Sequence, residues 1–163
     1  MKVGISGHQN IQPKSALGWI EAAIRNELRN QQASVGISCL AAGADQFFAK
    51  VVLEIGLELE AVIPCLGYES AFSDNESRER FSKMIELATV QQVLDFASPT
   101  EEAFFAAGKH VVDASDFMIF VWDGMPARGL GGTADIVAYA RTKRLPFTQL
   151  NPTDSSIQRH VCS

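Results

Sequence analysis

Short apolar runs alternate with amphipathic stretches from one end of the chain to the other. The runs at residues 2–6, 34–40, 60–64, 90–95, 116–122 and 146–150 are rich in Val, Ile, Leu and Phe. Several are continuous and not alternating, the pattern of strands covered on both faces. Between the first two, Leu17, Ile20, Ala23, Ile24 and Leu28 recur at helical spacing over 14–30, with Pro13 near the start. Further helices are predicted over 44–55, 76–88, 100–114 and 133–144. The helix over 44–55 carries Phe47, Phe48, Val51, Val52 and Ile55 on most of its sides. Such a helix is either deeply buried or covered by another subunit, so a homodimer or higher homo-oligomer is expected. Strict alternation of strand and helix predicts an α/β fold. The expected form is a Rossmann-like three-layer sandwich, with a mostly parallel sheet of about six strands and helices on both faces.

A length of 163 residues suits one domain with a sizeable core. Residues 1–152 are read as that domain, and 153–163 as a polar tail that is only loosely attached. Fourteen basic against nineteen acidic side chains leave a formal charge of -5. No basic stripe with interleaved aromatics interrupts that balance, so nucleic acid is not expected as a partner. Cys39, Cys65 and Cys162 lack metal-ligand spacing; the first two end apolar runs as small core residues do, and no metal is expected. Met1-Lys2 leads straight into a strand, and no apolar run approaches a membrane span. A cytoplasmic protein without a membrane partner is the expectation.

In an open parallel sheet the ligand crevice lies outside the carboxyl ends of the strands, near the switch in strand order. The loop with the strongest chemistry is Gly129-Leu130-Gly131-Gly132-Thr133-Ala134-Asp135, directly behind the run that ends at Trp122. Glycines let backbone approach a ligand, and a helix start offers unpaired N–H groups with partial positive charge, the physical recipe for holding phosphate. Thr133 also suits an N-cap. Asp135 would oppose a phosphate beside it and fits a sugar hydroxyl better, while Arg128 could supply countercharge. Ser6, Gly7 and His8 end the first strand as a second loop of this kind, alternatively a tight turn with an exposed imidazole. Ala42, Gly43 and Asp45 join the second strand to its helix, and the small residues let that turn approach the first loop. Asp45 either bonds a ribose or favours its helix start as any first-turn acid does. Tyr68 could stack on a base or pack on its own loop's aromatics, in a segment suited to a mobile lid. Asp123 could touch sugar or form a turn.

Together, Gly4-Ile5-Ser6-Gly7-His8, Leu40-Ala41-Ala42-Gly43-Ala44-Asp45 and Gly131-Gly132-Thr133-Ala134-Asp135 resemble the SLOG superfamily over about residues 1 to 152. That superfamily includes LOG (lysine-decarboxylase-like) phosphoribohydrolases, molybdenum-cofactor carrier-like proteins, DNA-processing protein A and nucleotide-sensing domains. The resemblance implies a nucleotide or nucleotide derivative as ligand, bound by a sensor or carrier, with no certain cofactor beyond it. The alternative is an enzyme cleaving or transferring a nucleotide N-glycosidic bond, its candidate catalytic residues being Asp135, Asp123 and Arg128. LOG enzymes carry a Pro-Gly-Gly-x-Gly-Thr-x-x-Glu loop. Here Leu130 stands in the region of the proline, Ile136 stands where the glutamate would be, and Asp135 is one position early.

Overall fold

Every expected strand forms, and a seventh joins them. The computed structural model describes residues 1–127 and 129–161. Strands β1 (Lys2–Gly7), β2 (Val35–Ser38), β3 (Glu58–Ile63), β4 (Val90–Val93), β5 (Phe117–Val121), β6 (Phe147–Asn151) and β7 (Ser156–His160) build one sheet. Its order is β4-β3-β2-β1-β5-β6-β7. Pairing is parallel throughout except between β6 and β7. Helices α1 (Leu17–Asn30), α2 (Ala44–Glu54), α3 (Asn75–Leu87), α4 (Glu101–Ala114) and α5 (Thr133–Thr142) supply the crossovers. The architecture is an α/β Rossmann-like sandwich.

Period-two alternation along β5 shows how the layers divide. Phe117, Ile119 and Val121 enter the core with Ile20, Ile24, Phe48, Val52 and Phe81 of α1, α2 and α3. Met118 and Phe120 enter the opposite core with Val111, Val112, Ile136 and Val137 of α4 and α5. Helix starts follow local chemistry. The Asp74 carboxylate accepts from the Ser77 N–H at 2.7 Å, and the Thr100 hydroxyl accepts from the Ala103 N–H at 3.1 Å. On α2, Ala44, Phe48, Ala49, Val51 and Val52 are fully buried, with Phe47, Leu53 and Ile55 packed against the same core. The chain itself therefore covers this helix, and its apolar girth gives no argument for a second subunit.

The expectation of a loose tail is corrected. Asn151 and Asp154 make the turn: the Thr153 N–H donates to Asn151 Oδ1 at 3.0 Å and the Ser156 N–H to Asp154 Oδ1 at 2.9 Å. The chain then returns antiparallel along β6. Arg159 donates to the buried Glu27 of α1 at 2.5 Å, and the His160 ring stacks on Phe147 at 4.4 Å. A polar sequence was compatible with a strand here because an edge strand meets water along much of its length.

Candidate functional site

Strand order reverses between β1 and β5. Chain order runs outward from β1 through β2 and β3 to β4, then returns to β5 on the other side of β1. The crevice expected of such a sheet therefore lies between the loops that leave β1 and β5. Gly7 stands in register with Val121, and the His8 N–H donates to the Val121 carbonyl at 3.1 Å. His8 then ties the two loops together. Its Nε2 accepts from the Asp123 N–H at 3.1 Å and lies 3.2 Å from Asp123 Oδ1. Asp123 Oδ1 accepts from the Met125 N–H at 2.9 Å, and Trp122 Nε1 donates to the Met125 carbonyl at 2.9 Å. The first turn of the β5 loop is thus an internally bonded unit clasped to β1.

The glycine-rich segment lies against α4. Gly131 has φ +85°, and a Cβ there would come within 2.9 Å of the Phe105 backbone nitrogen. The Leu130 N–H donates to Glu101 Oε2 at 3.4 Å, and the Gly131 N–H donates to Asp135 Oδ2 at 3.0 Å. Gly132, in extended conformation, is the N-cap of α5, so Thr133 is the first helical residue and not the cap. Its N–H and that of Ala134 belong to the turn that no intrahelical carbonyl serves. Asp135 lies in this first turn, with its carboxylate directed back at Gly131. Arg128 lies outside the described residues.

The second turn does approach the first loop, as its small residues suggest. Gly43 has φ +82°, and a Cβ there would collide with the His8 and Gln9 backbone, while the Ala44 N–H donates to the His8 carbonyl at 3.1 Å. A Cβ on Gly7 would meet Ala44 and Val121 at 2.6 Å and 2.8 Å. The room left by both glycines is filled by protein. Ser6 and Ala42 are half-buried beside them. Asp45 is turned into its own turn: its Oδ2 accepts from Ser38 Oγ at 3.2 Å and from the Cys39 N–H at 3.1 Å. Loss of water around it pushes its carboxyl up to about 7, against the lowering effect of those donors. Tyr68 is only 5% exposed and packs edge-on against Phe72, Phe81 and Phe104. Burial raises its hydroxyl well above the usual phenol range. Neither group reaches the β1–β5 crevice as a free side chain.

His8 and Asp123 are therefore brought together where β1 and β5 end, Asp135 turns back onto Gly131 at the start of α5, and Asp45 and Tyr68 are set into the protein. Sequence reading missed Glu101, the acid that holds the Leu130 N–H. Its only local signal was a first-turn acid on α4, which helix starts favour in general. Among the described residues, no three His, Cys, Asp or Glu side chains gather as metal ligands would, and no helix is long and apolar enough to cross a membrane.

A mostly parallel sheet with a strand-order switch between β1 and β5 defines a Rossmann-like architecture. No family model and no curated protein sequence matches the chain. Solved structures do. DNA processing protein A from Helicobacter pylori, solved for its single-stranded DNA binding mode, aligns with a TM-score of 0.69 at 19% identity, covering 94% of this chain and 70% of that one. DNA processing protein A from Streptococcus pneumoniae aligns at 0.64 and 19% identity over 91% of this chain and 49% of that one, so the chain spans about half its length. The molybdenum cofactor carrier protein from Chlamydomonas reinhardtii aligns at 0.59 and 15% identity, covering 94% and 78%. Likeness at such identities is likeness of fold. The fold of this chain is the fold of these proteins. The exclusion of nucleic acid is corrected by the same finding. Net charge describes a whole surface, and a protein of this fold is described binding single-stranded DNA.

Proposed function

We propose that the chain binds a phosphate-bearing small molecule, a nucleotide or nucleotide derivative, in the crevice between the carboxyl ends of β1 and β5. The observation that carries this reading is the start of α5, which opens at the strand-order switch behind the glycine-rich loop. The phosphate sits at Gly132 and Thr133, where helix N–H groups and the positive end of the helix dipole favour an anion. His8, Asp123 and Asp135 are the polar side chains positioned to meet the sugar and base. Binding partners of the structural neighbours widen the candidates to molybdenum cofactor and single-stranded DNA.

Gly132→Asp tests the phosphate position. Position 132 has φ -65° and ψ 167°, open to any residue, and aspartate is a better N-cap than most. Its carboxylate occupies the N–H groups that the phosphate needs. Calorimetry and melting shifts with AMP, NAD, molybdenum cofactor and a single-stranded oligonucleotide should find a ligand for the native chain. The variant should bind that ligand about tenfold or more weakly, with a melting temperature unchanged or higher. Equal binding by the variant would remove the phosphate from α5, and no stabilisation by any of these ligands would end the reading. Free base released in the same incubations would replace a binding protein with the N-glycosidic alternative.

A further inference from the structure

We propose that the free edge of β4 is the seam of a two-fold dimer of this chain. All four residues of β4 are exposed, the opposite of what a strand in a doubly covered sheet shows. It pairs with β3 on one side and has no strand on the other among the described residues. Large apolar side chains gather along this margin: Leu87 is 61% exposed, Val90 48% and Val93 50%, with Leu66 at 66% beyond the end of β3. Such an edge is a template for another strand unless it is guarded by charge, proline or a covering element.

The two margins of the sheet differ in that respect. At β7 the edge carries Arg159, fixed by Glu27, and follows a turn containing Asp154. At β4, the segment Ala88-Thr89-Val90-Gln91-Gln92-Val93-Leu94 has no ionisable side chain and no proline. A chain of net charge -5 repels its copies in general, so contact is favoured where that charge is missing. A second copy brings the same neutral segment and the same unmet backbone groups. Two-fold pairing sets the β4 strands antiparallel, the pairing that an isologous edge contact requires. Beside this seam lies α3, tied to β4 by the Gln91 side-chain amide donating to the Ile85 carbonyl at 2.6 Å. Exposed Glu79, Arg80, Lys83 and Glu86 bring both signs to its surface, so opposite charges are available to pair across the axis. An unrelated extended peptide would find the hydrogen-bonding edge but not this matched flank.

Sedimentation equilibrium over a concentration series tests the seam. The native chain is expected to approach twice its mass of 17.7 kDa. Val93→Lys places like charges beside the axis and should weaken association about 100-fold, while ligand binding at the β1–β5 crevice stays as in the native chain. Gln92→Cys, oxidised, should give a covalent dimer, which keeps the seam testable even where the lysine variant folds poorly. A native chain that stays at monomer mass throughout overturns the proposal. So does a folded Val93→Lys variant that dimerises as tightly as the native chain, or a Gln92→Cys chain that does not cross-link.

Discussion

Asp45 keeps its carboxylate out of water at the start of α2, served by the Ser38 hydroxyl and the Cys39 N–H. Those donors only partly offset desolvation, and the group titrates near 7 instead of its ordinary 3.8. The folded chain therefore holds this proton where the unfolded chain has released it. Asp45's favourable contribution is complete below about pH 4 and is lost as pH rises through about 7. Asp45→Asn keeps an acceptor for the same donors and has no charge to bury. Urea unfolding should show the variant gaining on the native chain by about 2–3 kcal/mol between pH 5 and pH 8. A constant difference across that window would mean that the carboxyl is not desolvated. His8 acts differently, as a clasp. Because the Asp123 N–H donates to Nε2, neutral His8 carries its own proton on Nδ1. His8→Ala removes the acceptor, a loss of about 1 kcal/mol. Exchange of the Asp123 amide in deuterated water should then quicken roughly fivefold, and an unchanged rate would show that the loop closes without the imidazole.

Elements were legible where burial imposes a period. Five strands and five helices follow from apolar repeats, because a covered strand or a one-sided helix must write its environment into its sequence; β4, exposed throughout, was read from Val90, Val93 and Leu94 alone. β7 escaped because an edge strand needs no such repeat. Its signal was the Asn151-Pro152-Thr153-Asp154-Ser155 turn, which reads equally well as the start of a tail. The loops of the candidate site were legible for the same reason as the strands: they follow the carboxyl ends. What fills the space beside each glycine was not. Gly131 meets the Phe105 backbone and Gly129 the Glu101 carboxylate, through contacts that only the tertiary fold creates. β7 is held by one such contact. Glu27 is buried between the Thr148 hydroxyl at 2.9 Å and the Arg159 guanidinium. Arg159→Met would leave that carboxylate with a single neutral donor and should cost about 1.5–3 kcal/mol in urea unfolding. Adding Glu27→Gln to the same chain should recover part of the loss, since the uncompensated charge is then gone. No recovery would assign the cost to packing of the arginine stem.

At the scale of the molecule, the strand order keeps the two proposed surfaces apart. β4 is three places from β1, roughly 14 Å across the sheet at ordinary strand spacing. Their supports also differ: α5 and the β5 loop frame the crevice from the α4 side, and α3 flanks the outer strand from the other. β2 and β3 stand between them as strands paired on both sides. Substitutions more than about 7–10 Å apart without shared partners add within about half a kcal/mol. Gly132→Asp and Val93→Lys in one chain should therefore show each single loss unchanged. Ligand affinity should fall as in the first variant, and dimer dissociation should rise as in the second. The native chain should likewise bind ligand with the same affinity at concentrations far below and far above its dimer midpoint. A ligand titration that shifts the sedimentation midpoint tenfold would mean about 1.4 kcal/mol of coupling between the sites. That result would make the β1–β3 layer a transmitter between the surfaces and not a spacer.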